Sequence, residues 1–487
     1  MTKPKDSVAR GALFVLAGRW TDQLIGFLST VILARLLVPD DVGIVAMASL
    51  VISLVDVLLD LGVNVALIQN RDAVQAHWDT AWTLRLLQTA AATVVVLVAS
   101  PIAADYFGDP RVGPVLRAMA FTFVITGLEN IGVIAFQKEM TFAADLRFVL
   151  SKRIAGFCAT IVAAWLLRSY WALVIGALTG RTIGTVISYF IHPMRPRPSL
   201  AKAREIFGIS QWLMIRSVGI FVESNLHRFV VGGRVEAGVM GAYSLADDVA
   251  KLPSTTLLTP LNRVLFPAFV EAKHNAEELK RIFLLAQAVQ TLIVVPAAMG
   301  LVLVAPEAVR VLLGERWMSA VPFVQVLAPV GMVWSITNAG GYVMLALGRV
   351  RALTYILWVR IALFALVAYG FLPRADALQI AWLRLAFGMF ALAAFMVWVR
   401  NALPNVRVVE VLGTMSRPIV AVIVMTAAVL AVDHVHLAAP IAIVLMVKMG
   451  VGAVTYTATL LLAWQIAGRP VGGESYLFER IRRRPRR

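Results

Sequence analysis

The chain has 487 residues, 60% of them hydrophobic and only 15% charged, a balance that excludes an ordinary soluble globular domain and marks an integral membrane protein. Its 45 Lys and Arg exceed its 28 Asp and Glu by 17, but the bases are scattered in short segments between apolar runs with no DNA- or RNA-binding motif, so membrane topology accounts for them and nucleic acid does not. A single cysteine, Cys158, excludes an internal disulfide and, from its apolar surroundings, is assigned to the core.

The N-terminal run MTKPKDSVARGALFVLAGRW opens on basic residues as a signal peptide does, yet Arg19 and Asp22 interrupt the apolar stretch and no small-residue cleavage site follows. It therefore reads as a retained first helix. Windows of about 20 apolar residues, the length that crosses a bilayer, predict helices near 12–37, 43–68, 79–104, 113–136, 148–168 and 171–192 in an N-terminal six-helix lobe, 1–193. A C-terminal six-helix lobe, 194–401, takes 210–235, 239–268, 282–304, 319–347, 352–371 and 376–399. The window at 239–268 is the most polar of these; it is kept because omitting it would invert every later loop. An extra helix pair near 417–432 and 438–467 occupies 402–467. The basic tail, 468–487, ends in FERIRRRPRR, a topology anchor that also suits anionic lipid headgroups.

With the N-terminus in the cytoplasm, the segments on that side, counting Lys138, Arg147, Lys152, Arg153 and Lys202 among them, carry 27 Lys and Arg against 8 on the opposite side. That bias places both termini in the cytoplasm. ILARLLVPDDVGIVAMASL and FVVGGRVEAGVMGAYSLAD both run from an apolar helix end through a short turn to a glycine, Gly43 or Gly241, that opens the next helix. Six helices separate the two, so the repeats share an orientation and a pseudo-two-fold along the membrane normal. The expected fold is an all-α integral membrane protein of about 14 transmembrane helices, with two six-helix lobes facing a central cleft plus a C-terminal helix pair.

Ten bases fall inside the spans: Arg19, Arg85, Arg181, Arg216, Arg228, Lys251, Arg263, Arg360, Arg384 and Lys448. A charge facing lipid costs roughly 2.5–3.5 kcal/mol even on the gentler scales, so such residues are expected to line water or a compensating anion. A pyrophosphate offers several anionic oxygens, which guanidinium forks match bidentately. Arg19, Arg85, Arg216, Arg228, Lys251 and Arg263 are the candidate substrate-binding residues. Local pairing is the competing reading, Arg19 with Asp22 and Lys251 with Asp247. Asp56 and Asp60, one helical turn apart, form with Asp22 a candidate proton or sodium site or, alternatively, a set of counter-ions to Arg19 and Arg85. Glu129, Asn130 and Glu223 beside His227 are weaker candidates.

ARLLVPDDVG (Ala34–Gly43), DLGVNVALIQ (Asp60–Gln69), GAYSLADDVAKLP (Gly241–Pro253), NRVLFPAF (Asn262–Phe269) and LGERWMSAVPFVQVLA (Leu313–Ala328) closely resemble the polysaccharide transporter, or Wzx-like flippase, branch of the multidrug/oligosaccharidyl-lipid/polysaccharide exporter superfamily. The resemblance covers roughly residues 8 to 400 in order. It implies twelve core helices in two lobes, often with two more, that move polyprenyl-pyrophosphate-linked oligosaccharide across the inner membrane for surface polysaccharide synthesis by alternating access. Lipid-linked oligosaccharide and membrane lipids are the implied partners, with a polysaccharide polymerase and a coupling ion as further ones. One departure stands out: where many relatives carry an aspartate in the seventh helix, this chain reads Asn225, Leu226, His227, Arg228.

No phosphate-binding glycine loop, metal-ligand spacing or G-x-S-x-G occurs, and no segment outside the spans is long enough for a catalytic domain. No enzyme, cofactor or metal is therefore expected. A membrane polymerase or ligase would need a long periplasmic loop. A drug exporter of the same superfamily would need an acidic, aromatic cavity. A lipid II flippase shares the pyrophosphate headgroup and is separated only by the family motifs.

Overall fold

The computed structural model describes residues 4–60, 62–70, 72–206, 211–403, 405–435, 439–470 and 472–475; the side chains of residues 4–17 and of a few later positions, Arg19 and Arg263 among them, lie outside that description. Among the described residues the chain is helical and contains no strand. The helices are α1 (Pro4–Leu36), α2 (Pro39–Leu59), α3 (Val63–Gln69), α4 (Gln75–Phe107), α5 (Val112–Gly127), α6 (Ile134–Lys138), α7 (Phe142–Leu167), α8 (Trp171–Ile191), α9 (Ala203–Ile206), α10 (Gln211–Gly232), α11 (Ala237–Ala272), α12 (Ala276–Leu312), α13 (Val321–Ala346), α14 (Val350–Ala365), α15 (Ala377–Ala402), α16 (Val408–His434) and α17 (Ile441–Ile466).

Ten helical stretches among the described residues are long and apolar enough to cross a membrane, and an eleventh forms if α5 and the stretch Ile131–Lys138, bent by 72° at the break between them, make one span. α1, α10 and α11 are not among these although they are 33, 22 and 36 residues long. Their sequences carry Arg19 and Asp22, Arg216, Glu223 and Arg228, and Asp247, Asp248, Lys251 and Arg263, which lower their mean hydropathy. The expected count of about 14 included these three helices. Two local expectations need correction. Lys152 and Arg153, counted as loop charges, lie about three turns inside α7. Cys158, assigned to the core, is exposed on the same helix.

The chain separates into two compact units, Met1–Gly241 and Ala242–Arg487. In the first, α7 and α8 pack closely, and the reason is legible in GALTGRTIG: Gly176, Gly180 and Gly184 recur every fourth residue and present a side-chain-free stripe. A Cβ on Gly176 would strike Thr160, and Gly156 and Gly180 lie so close that a Cβ on either would stand 3.3 or 3.2 Å from the other's Cα. α5 packs in turn on α4 and α8, with a Cβ at Gly127 excluded by Thr89. After α8 the chain runs extended along α4, where the backbone N–H groups of Arg197, Ser199 and Lys202 donate to Asp79 Oδ1 (3.0 Å), Thr83 Oγ1 (2.9 Å) and Thr80 Oγ1 (3.2 Å).

Where α2 meets the first turn of α11, two glycines touch reciprocally. A Cβ on Gly43 would collide with the Ala237 carbonyl, and one on Gly241 with the Pro39 carbonyl; each would also come within 2.9 Å of the other glycine's nitrogen. The two positions are the ones that the repeated hairpins align.

In the second unit α12 packs on α13, α16 and α17 around a core that includes Phe283, Ile336, Phe395, Met425 and Tyr456. The C-terminal pair is fastened to α12 by polar groups as well. The Tyr456 hydroxyl donates to the Leu292 carbonyl at 2.7 Å, and the buried Lys448 ammonium lies 2.5 Å from both Glu307 and Asp433.

Candidate functional site

The first unit gathers intramembrane cations from three helices beside one buried carboxylate. Arg85 stands three turns into α4, Lys152 three turns into α7, and Arg181 is the middle residue of the 21-residue α8, about 15 Å from either end at 1.5 Å per residue. The glycine stripe brings α8 against α7, so the Lys152 methylenes lie 3.2 Å from the point a Gly184 side chain would occupy, and Glu129 Oε2 lies 3.9 Å from the same point. Arg85 Nη2 is 3.4 Å from Glu129 Oε1, with both side chains largely buried, at 15% and 8% exposure. Arg181 Nη1 reaches Thr126 Oγ1 at 3.4 Å, and Lys152 lies within electrostatic reach of Glu129, Arg181 and Arg85.

What aims Glu129 is the break between α5 and α6. Its neighbour Asn130 is fully buried and clamped: its N–H donates to Ser188 Oγ (3.0 Å), its Nδ2 to the carbonyls of His192 (3.3 Å) and Met194 (2.8 Å), and its Oδ1 accepts from the Gly132 N–H (2.9 Å). The chain thus turns at a position held on all sides, and the preceding carboxylate is left facing the cations.

The three carboxylates expected as a cluster do different things. Asp22 pairs across helices with Arg153 on α7 at 3.3 Å. Asp60 is exposed and its Oδ1 accepts the Gly62 N–H at 2.9 Å, closing the turn after α2. Asp56, one turn earlier, is exposed within electrostatic reach of Arg181 and Arg85.

In the second unit Lys251 donates to Asp247 at 2.7 Å, the local pair weighed from sequence, and Arg384 of α15 approaches the other oxygen of this nearly fully buried carboxylate at 3.5 Å. Arg216 and Arg228 lie half-buried on α10, and the buried His227 ring contacts the Ser224 carbonyl at 3.1 Å. The side chains of Arg19 and Arg263 lie outside the described residues. Among the described residues no group of three His, Cys, Asp or Glu is placed to hold a metal ion. Of the four candidate bases whose side chains are described, only Arg85 enters the three-cation group. The other two members lie outside the sequence-based candidates: Lys152 reads as a loop charge and Arg181 as one more intramembrane base. The signal that would have found both is the glycine stripe of α8, which fixes the face on which α7 must lie.

A family model described as polysaccharide biosynthesis protein matches residues 32–322. The lipopolysaccharide biosynthesis protein WzxC of Escherichia coli is 28% identical over 330 residues, 67% of each chain. The succinoglycan biosynthesis transport protein ExoT of Rhizobium meliloti is 24% identical over 444 residues, 90% of this chain and 89% of its own. The fold is that of a solved lipid II flippase, MurJ, in an inward closed conformation, at a TM-score of 0.75 and 10% identity, over 94% of this chain and all of that one.

Proposed function

The chain belongs to the polysaccharide biosynthesis protein family, and we infer that it is a flippase moving polyprenyl-pyrophosphate-linked oligosaccharide units across the cytoplasmic membrane for surface polysaccharide synthesis. It is a multi-pass transporter and not an enzyme. The observation that carries the substrate chemistry is the group of three neighbouring cations, Arg85, Lys152 and Arg181, the first two of them beside the buried Glu129. Cations three turns deep in apolar helices are costly beside lipid and are stabilised by a mobile anion. A pyrophosphate supplies that anion in one state and leaves with its lipid in the next, which is what alternating access requires. The sugars would cross through water while the polyprenyl tail stays in lipid. A lipid II flippase shares the headgroup and the fold; the named relatives favour polysaccharide units over it.

The remaining parts of the proposal are finer. Arg216, Arg228, Lys251, Arg19 and Arg263 extend the basic lining, Asp56 couples transport to a proton or sodium gradient, both termini are cytoplasmic, and a polysaccharide polymerase receives the product. The lobes of this reading are 1–193 and 194–401, with 402–467 as an accessory pair and 468–487 as a basic tail. The test is export in a strain dependent on this protein. Arg85→Ala and Lys152→Ala should abolish surface polysaccharide at normal membrane levels, whereas Arg85→Lys should retain part of it, since charge survives although the fork is lost. Normal export by both Ala variants would overturn the reading.

A further inference from the structure

We propose that Glu129 is a tethered stand-in for the substrate pyrophosphate: it neutralises the cations of the empty site and is displaced from them when substrate binds. The inference rests on the pyrophosphate reading of that site and assigns a residue that sets how firmly the headgroup is held and how readily it is released.

Geometry and solvation carry it. Arg85 pairs with one nearly buried carboxylate, Glu129, Lys152 lies within electrostatic reach of the same group, and Arg181, exposed on α8, lies within reach of Lys152. Without a compensating negative charge they would be costly at this depth, so the unliganded protein needs a resident anion. Glu129 fills that need, yet its contact with Arg85 is long, 3.4 Å rather than the 2.7–2.9 Å of a tight charge-assisted bond. Arg111 in the α4–α5 turn shows what a committed pair looks like in the same unit, reaching Asp40 and Asp109 at 2.7 Å each. A loose pair is the arrangement expected of a partner that must be exchanged. The backbone also keeps Glu129 in place when its carboxylate is displaced, because the Asn130 clamp to Ser188, His192 and Met194 holds the break independently of any charge. Lys152 is similarly placed without Glu129, its ammonium 4.6 Å above the Phe148 ring and its methylenes against Gly184. Asp56 fits this role less well: among the described ion pairs it makes none with these cations, whereas Glu129 contacts Arg85 directly.

A carboxylate and a pyrophosphate that compete for the same cations cannot both be satisfied, so removing the carboxylate strengthens substrate binding while weakening release. The experiment measures equilibrium binding of farnesyl pyrophosphate, a short soluble analogue of the lipid headgroup, to the full-length protein in detergent, together with export in cells. Glu129→Gln keeps shape and loses charge. It should bind roughly tenfold tighter, since like-charge juxtaposition is removed, yet export more slowly than wild type. Glu129→Asp keeps the charge on an arm one methylene shorter and should tighten binding only about two- to threefold on the same argument; it also gives a reading if the Gln variant does not fold. Lys152→Gln and Arg181→Gln test the site itself and should weaken binding. If they weaken it while neither Glu129 variant tightens it, Glu129 is a fixed structural counter-ion and the inference is wrong. If Lys152→Gln and Arg181→Gln bind as wild type does, the pyrophosphate site is misplaced and the inference falls with it.

Discussion

Asp56 and Asp60 look equivalent in the sequence, one turn apart on the same helix face, but only one has a backbone duty. Asp60 closes the turn that follows α2 through the Gly62 N–H, and a neutral asparagine can still accept that bond. We therefore expect Asp60→Asn to leave gradient-driven transport in proteoliposomes unchanged. Asp56→Asn should abolish its dependence on an imposed proton or sodium gradient, because of these two carboxylates Asp56 is the one without a backbone bond and within electrostatic reach of Arg85 and Arg181. Equal gradient dependence in wild type and both variants would leave Asp56 a plain counter-ion. At this scale the sequence was half readable. The i,i+4 pair of Asp247 and Lys251 followed from helix periodicity alone and is present. The partners of Arg85 and Asp22 lie in the break after α5 and on α7, 44 and 131 residues away, and no local pattern encodes them. The exposure of Cys158 misled for a related reason: an apolar neighbourhood in a membrane protein signifies lipid as readily as core.

Elements were more legible than contacts, because apolar windows of bilayer length report directly on helices. The 72° break after α5 escaped because its cause is distributed: Asn130 stops the helix by binding groups near residues 188–194. Two elements carry predictions. Lys448 holds the C-terminal pair to α12 through Glu307 and Asp433, so Lys448→Met leaves Glu307 buried without its cation and should cost about 3 kcal/mol. Replacing both, Lys448→Met with Glu307→Leu, should recover most of that in a thermal or denaturant melt; an additive loss would argue against a coupled pair. The extended segment after α8 is pinned at α9, where the Lys202 ammonium and the His77 imidazole hold the exposed Glu205 carboxyl below the usual carboxylate range. A depressed carboxyl pKa stabilises the fold fully above its unfolded value of about 4.3, and that contribution fades as pH falls through the lower folded value. Hydrogen exchange at residues 200–206 should thus be slow and constant from pH 7 to about 5, then rise once corrected for intrinsic rates. A rise already complete by pH 6 would show that another group controls the tether.

Over the whole molecule the open quantity is the number of crossings, since α1, α10 and α11 are long but too charged to pass on apolarity. Single cysteines at Lys202 and Asp376, introduced after Cys158→Ser because the native thiol is exposed, bracket α10 through α14. Five crossings put them on opposite faces, with Lys202 labelled only from inside. Labelling of both from one face would remove one of those crossings. The repeat that suggested this topology left a second trace, in the reciprocal contact of Gly43 and Gly241. Each residue's missing side chain is the space the other's backbone fills, and neither can become smaller. Substitution at one therefore has no compensating substitution at the other, unlike a large-and-small core pair that can trade volume. For an engineer or for drift, this crossing is a single locus written in two places, tolerant of change around it and closed to change within it.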